Sequence, residues 1–290
     1  MACDTLIFRY VPDILHTLSR PVETWPAATT AWVGGAMRAG VVKRTRTDLR
    51  RLEELGLNAS APPEQLFYDG WLLRLLPGKV KRARSVNAVY PSRLPLAEKL
   101  AHCEQLYRDR GLPLIFRMTP LSEPASLDAE LSVRAYPKFD TTAVESMPIR
   151  SPAKRDTSVQ VLDLPHWVDV VARLRGSPAD HRDTHLLRLM ALGLARTPLA
   201  LREGDDFVAA GLVIVEGAWA GLYDIVTDPS RLRQGLGRRI SQSLLHCAWD
   251  MGAREAYLQV MTSNRAARTL YADLGFDERY HYWYRGPRKP

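Results

Sequence analysis

Residues 226 to 240 read VTDPSRLRQGLGRRI and form the segment whose residue types and spacing best suit chemistry. An apolar run ends at Asp228-Pro229, a short loop follows, and a helical pattern opens at Gly235-Leu236-Gly237. The first turn of a helix leaves backbone N–H groups unpaired and carries the positive end of the dipole, so it accepts a phosphate. Side chains at Gly235 or Gly237 would hold a phosphate away from those donors. Arg231, Arg233, Arg238 and Arg239 add positive charge around the same turn. A Rossmann fingerprint needs a third glycine, which Gly235-Leu236-Gly237-Arg238-Arg239-Ile240 lacks, and no Gly-Lys-Ser/Thr of a Walker A loop occurs here.

A second motif follows at the next helix, NRAARTLYADLGF over 264 to 276. Together the two resemble the paired cofactor motifs of the GNAT superfamily of N-acetyltransferases, over about 130 residues. The resemblance implies that Val226 and Thr227 offer backbone groups to the pantetheine arm of acetyl-CoA. It implies that Arg233, Gln234, Gly235, Leu236, Gly237 and Arg238 cradle the pyrophosphate, and that Asn264 contacts the cofactor arm. Tyr271 would stand near the thioester sulfur as general acid. The family carries Arg or Gln three residues before the first glycine; here that place is Leu232, flanked by Arg231 and Arg233.

An amine attacks an acyl group only when neutral, and a lysine-like amine has a pKa of about 10.4. A base must therefore take a proton, and an acid should protonate the leaving thiolate. No base is identifiable. Tyr223 and Asp224 lie on the strand before the loop, and alternation sends them to opposite faces. His281 and Trp283 share one face of the last strand, as acceptor-pocket lining or as cross-strand packing. Cys247 shares a helical face with Ile240, Leu244 and Met251 and reads as core rather than as an acyl carrier.

The elements that must position this chemistry follow the same order twice. In the second half, SVQVLDL is a strand, two helices follow, and PLALRE, FVAAGLVIVEG and WAGLYDIVTD form a meander. A helix over GLGRRISQSLLHCAWDMGA, a strand EAYLQVMTSN, a helix RAARTLYADLG and a strand FDERYHYWYRG complete it. In the first half, TDLRRLEELGL (47–57) is a short amphipathic helix, with Leu49, Leu52 and Leu55 in register. DGWLLRLLP and KVKRARSVNAVYP read as strands joined near Pro77-Gly78. LPLAEKLAHCEQLYRDRG is a helix, PLIFRMTP a strand, ASLDAELSVRA a helix and TTAVESMPI a strand.

Pro91-Ser92-Arg93-Leu94 recurs as Pro229-Ser230-Arg231-Leu232, His102-Cys103 as His246-Cys247, and Met118-Thr119 as Met261-Thr262. This order suggests a tandem of one fold. The expected class is α+β, a GNAT fold in two tandem copies. The expected boundaries are a poorly defined extension over 1–44, a degenerate lobe over 45–149, a linker over 150–158 and a catalytic lobe over 159–287. The first copy replaces the glycine loop with Pro95-Leu96-Ala97-Glu98-Lys99, and the counterpart of Tyr271 is Leu131. It should therefore serve as scaffold and acceptor-pocket wall, with Arg74 a candidate to meet an acceptor carboxylate. Mycothiol synthase, a tandem GNAT protein, is similar in pairing an active lobe with a degenerate one.

Composition excludes little beyond this. Charged residues at 25% and apolar residues at 46% describe an ordinary globular chain. Cys3, Cys103 and Cys247 are scattered, with no C-x-x-C metal or redox spacing, which reads as reduced cytosolic thiols and no metal. The most apolar stretch, 208–226, contains Glu216 and Asp224 and reads as a buried hairpin rather than a membrane span. Asp4 and the lack of a basic start predict no signal peptide. The net charge of +8 is spread over basic clusters without stacking aromatics, so no nucleic acid is expected. The expectation is a cytoplasmic monomer or homodimer that acetylates a primary amine of a small metabolite. A protein or peptide amine, or a non-catalytic CoA-binding module, are the competing readings.

Overall fold

One mixed sheet of eleven strands organises the described residues, in the order β1-β2-β3-β4-β11-β5-β10-β9-β8-β7-β6. The computed structural model describes residues 46–151 and 156–286. The expected extension over 1–44, with Cys3, and positions 152–155 of the expected linker lie outside the described residues.

The N-terminal half contains α1 (Arg46–Ala59), β1 (Gln65–Tyr68), β2 (Trp71–Arg74), β3 (Val86–Ala88), α2 (Leu96–Asp109), β4 (Phe116–Met118), α3 (Leu127–Val133) and β5 (Lys138–Pro148). The C-terminal half contains β6 (Val159–Val161), α4 (Leu164–Arg175), α5 (Ala179–Met190), β7 (Ala195–Glu203), β8 (Asp206–Glu216), β9 (Trp219–Thr227), α6 (Leu236–Asp250), β10 (Glu255–Met261), α7 (Arg265–Leu274) and β11 (Asp277–Arg285).

The halves exchange their last strands. β5 is inserted between β10 and β11, antiparallel to both, while β11 reaches across to pair with β4. On either side of this central pair lies a parallel pair, β3 with β4 and β9 with β10. The sequence repeat maps onto this symmetry. Each Pro-Ser-Arg-Leu segment lies between a strand of the parallel pair and the next helix, and Met118 and Met261 each end the following strand. The fold is thus α+β with a GNAT-like arrangement in both halves.

Local sequence explains the helix ends. Asp163 caps α4 by accepting the His166 N–H at 2.9 Å, and Gly176 closes it in the left-handed region at φ 60°. Asn264 caps α7 through the Ala267 N–H at 3.2 Å, and Gly275 ends it at φ 99°. Gly217 (φ 59°) and Ala218 turn β8 into β9, forming the expected hairpin. On one face of the C-terminal sheet, α4 buries Trp167, Val168, Val171 and Leu174; on the other, α6 buries Ile240, Leu244 and Ala248. Each large apolar side chain so buried contributes about 1.5–3 kcal/mol.

In the N-terminal half, β2 and β3 pair antiparallel and are joined through Pro77-Gly78 as expected, with a 3-10 turn over Lys81–Ala83 in the connection. The sequence reading lacked β1, which pairs with β2 across a turn at Asp69-Gly70, where both residues have positive φ (40° and 82°). One expectation is corrected. Arg74 does not face an acceptor. It is buried, donating to the carbonyls of Leu57 (2.7 Å) and Ser60 (3.3 Å) at the end of α1, and burial pulls its pKa down to about 9.

Candidate active site

The strands β9 and β10 are hydrogen-bonded only from Trp219–Leu222 to Glu255–Leu258, and then part. The opening is a cleft of about 750 Å³. Val226 and Thr227 line it from β9, Gly235, Leu236, Gly237 and Arg238 from the start of α6, and Asn264 and Tyr271 from α7. Arg233 lines it too, so the fold brings together the residues of both sequence motifs. Gln234 is the exception: it is exposed outside the cleft wall, and its side-chain oxygen accepts from Arg231 Nε at 3.3 Å.

The loop is built to leave its donors open. Arg233 (φ 62°) and Gly235 (φ 77°) both take the left-handed region, which swings the chain into the helix. No side chain caps α6 and no acid stands in its first turn, so the first N–H groups face the cleft unopposed. A Cβ on Gly237 would come within 3.2 Å of Leu270 Cδ2, on the cleft wall. The arginines are less free than the sequence suggested. Arg231 and Arg239 are both paired with Glu203, Arg239 also with Asp156, and Arg238 with Asp273. Arg233 has no carboxylate partner among the described residues. An open helix start, a glycine lining and an unpaired guanidinium fit a pyrophosphate.

The N-terminal counterpart is built differently. There the Asp69 carboxylate accepts the backbone N–H groups of Arg93 (3.0 Å) and Leu94 (2.9 Å), bonds that hold its pKa below the usual carboxylate value. Lys99, buried and stacked 4.0 Å from the Trp71 ring, bonds Ser92 Oγ and the Asp69 carbonyl. The Arg93 and Leu94 N–H groups precede α2 and match Arg231 and Leu232 in the repeat. At the helix start itself, α2 carries Glu98 in its first turn, where α6 has no acid.

A bulge re-aims the middle of β9. Ala210 faces Val226 while Leu212 faces Tyr223, so an extra residue stands opposite Gly211. Asp224, at φ 52°, absorbs the kink. Alternation therefore fails here, and Tyr223 and Asp224 both line the cleft. Burial alone would raise the Asp224 pKa, yet Arg175 at 2.9 Å and His185 Nε2 at 3.1 Å outweigh it and hold the carboxyl well below the usual range. The Tyr223 hydroxyl meets the Tyr257 hydroxyl at 2.9 Å, and burial pushes the Tyr223 phenol up to about 12. Gly221 is required nearby, since a Cβ there would lie 2.4 Å from the Tyr223 ring and 2.7 Å from the Tyr257 hydroxyl.

A second cavity of about 400 Å³ shares Arg82, Arg175, Asp224 and Met261 with the first. Its walls come from the 3-10 turn of the N-terminal half, from α4 and α5, and from Tyr282 and Tyr284 of β11. The latter two replace the expected His281 and Trp283, which are engaged elsewhere. His281 pairs with Glu278, and Trp283 donates to Asp128 and stacks on Lys138. Tyr282 donates to Gln259 Oε1 at 3.0 Å on the cleft floor. Cys247 faces neither cavity, lying beside Met251 against the core.

Tyr271 is buried on the cleft wall, and burial first, then the Glu145 carboxylate, push its phenol up to about 12. Among the described residues no group of side chains could hold a metal ion, and no helix is long and apolar enough to cross a membrane. Sequence reasoning missed His185 and Arg175, which lie far along the chain from the motifs with no local pattern to mark them; Arg82 falls in the basic cluster Lys79–Arg84, whose charge alone did not single it out.

This strand split beside an uncapped helix, within a fold repeated in tandem, defines the class: a GNAT-fold N-acetyltransferase. A family model described as "Probable histone acetyltransferase Rv0428c C-terminal" matches residues 45–285, and the chain belongs to that family. It is 29% identical over 247 residues to "Uncharacterized N-acetyltransferase YobR" of Bacillus subtilis (strain 168), covering 81% of this chain and 98% of that one. Among solved structures, a GCN5-related N-acetyltransferase from Kribbella flavida superposes with a TM-score of 0.60 at 12% identity, covering 83% of this chain and 95% of that one. A "Tandem GNAT protein from the clavulanic acid biosynthesis pathway (without AcCoA)" superposes at 0.55 with 14% identity, covering 82% and 89%.

Proposed function

We propose that this N-acetyltransferase takes its acetyl group from acetyl-CoA and delivers it to the primary amine of a small metabolite. The observation that carries the reading is the continuity of two unlike cavities. One is a cleft that ends at an open helix start; the other is a smaller, half-open cavity of about 400 Å³ beyond the β9 bulge. The second is of small-molecule size, where ligand pockets run from about 300 to 1,000 Å³.

Acetyl-CoA supplies an activated thioester, and Arg233 and the N–H groups from Gly235 to Arg238 would hold its pyrophosphate. Val226, Thr227 and Asn264 would flank its arm. The deprotonation falls to His185. A carboxylate only accepts hydrogen bonds, so the charged Asp224 fixes the imidazole with its proton on Nε2 and leaves the Nδ1 lone pair to take a proton from the amine. Asp224 is a positioning residue in this scheme. Tyr271, whose proton is held tightly at neutral pH, is the candidate to protonate the departing thiolate. Direct attack with both substrates bound needs no acyl-enzyme, in keeping with the position of Cys247 outside both cavities.

In this reading residues 45–149 form a lobe that binds no acetyl-CoA but walls the acceptor cavity, and 159–287 form the catalytic lobe. The description of the family model favours a second reading, a protein acceptor. Release of free thiol from acetyl-CoA, measured across a panel of small amines and lysine-containing peptides, separates the two. Stimulation by a small primary amine is expected. Stimulation by peptides alone would replace the first reading with the second.

A further inference from the structure

The seam between the two cavities carries a cation that acetyl transfer itself does not require. Of the groups on that seam, Arg175 is neutralised by Asp224. On the acceptor side, Lys81 is held by Asp140 at 2.7 Å, and Arg182 by Asp169 and Asp183. Arg82 is different. It has no carboxylate partner among the described residues; its Nη1 donates to the Tyr282 hydroxyl at 3.2 Å, and its Nε, shielded from solvent, bonds nothing there. The guanidinium lies over the Tyr223 ring, 5.9 Å from the centroid. A half-buried cation left without a counter-charge costs stability, and such an arrangement suits an anion that arrives with a ligand.

The backbone presenting Arg82 is fixed. Leu76 N–H donates to the Ala83 carbonyl at 3.1 Å across the 3-10 turn. The buried Arg74 donates to the Arg82 carbonyl at 3.2 Å while it also holds the end of α1. The guanidinium therefore starts from a rigid platform rather than a mobile loop, as a specificity contact requires.

We propose that the acceptor carries a carboxylate a few bonds from its amine, that Arg82 receives this carboxylate, and that the substrates are small amino-acid-like amines. The inference rests on the acetyl transfer proposed above and names its acceptor class. The planar fork of arginine matches a carboxylate in a bidentate pair. Arg82 and Asp224 stand on the same seam, so an amine facing His185 and Asp224 and an acid on Arg82 must belong to one short molecule. Of the five lysine and arginine side chains on the cavity wall, Lys79 and Arg82 have no carboxylate partner among the described residues. A lysine-rich peptide would meet like charge there.

The test uses the full chain with saturating acetyl-CoA and a free-thiol readout. Standard amino acids are compared with their C-terminal amides and with a lysine-rich peptide, and acetyl-CoA binding is measured in parallel. The best acceptor should be an acid, and its amide should fall by about ten-fold or more in kcat/KM, the loss expected of one charge-assisted contact. Arg82→Gln should bring the acid-to-amide ratio close to one, and Arg82→Lys should restore part of it. Amides accepted as well as acids, a lysine-rich peptide as best acceptor, or an Arg82→Gln variant that keeps the full ratio would each overturn the inference while leaving acetyl transfer standing. No amine raising thiol release above hydrolysis, with acetyl-CoA still bound, would overturn the inference and the transferase reading together.

Discussion

His185 Nε2 lies 3.1 Å from Asp224 Oδ2, joining α5 to the bulge of β9 across 39 positions of sequence. Arg175, from α4, holds the other carboxylate oxygen at 2.9 Å. Two helices therefore converge on one residue in an unfavourable left-handed conformation. If this pair removes the amine proton, His185→Gln and Asp224→Asn should each lower kcat by about 10²-fold or more. Because the two act as a unit, the double variant should lose little beyond either single one. Thiol-release kinetics on proteins shown to be folded check this, and additive losses would mean independent roles.

Tyr271→Phe should keep acetyl-CoA affinity and lower turnover by about 10²-fold. The loss should appear in kcat rather than KM. An unchanged rate with chemistry rate-limiting would return Tyr271 to packing against Phe276, its ring neighbour at 6.0 Å.

The Asp224 carboxyl should make its mark in acid. Its folded pKa lies well below an unfolded value of about 3.9, so its contribution to stability is complete above that value and is lost as the pH falls toward the folded one. Asp224→Asn should accordingly flatten the acid limb of a plot of melting temperature against pH below about pH 4. A variant whose acid limb keeps the wild-type steepness would show that the carboxyl is not held down as the ion pairs imply.

The two motifs that line the cleft and the tandem plan were legible in the sequence because each is local. Gly235 and Gly237 mark a helix start, and the Pro-Ser-Arg-Leu pair marks equivalent turns. What was hidden is pairing. The period-two pattern of β5 and β11 is the same whichever half they join, so the strand exchange leaves no trace in either. The bulge at Asp224 depends on the register with β8 and moved two side chains to one wall. Arg74 looks like a polar strand end until the carbonyls of α1 are seen beside it. His185 and Arg82 became site residues solely through tertiary placement.

Titration calorimetry measures directly whether acetyl-CoA binds at the start of α6, as proposed. Gly237 lines the cleft at the first turn of α6, and Gly237→Glu would set bulk and negative charge among the open N–H groups. In the N-terminal half, Glu98 already stands in the first turn of α2, the helix that corresponds to α6. Acetyl-CoA titrated into the full chain should bind with a stoichiometry near one, and folded Gly237→Glu should bind none. Wild-type affinity in that variant, or a second site that survives the substitution, would contradict the account.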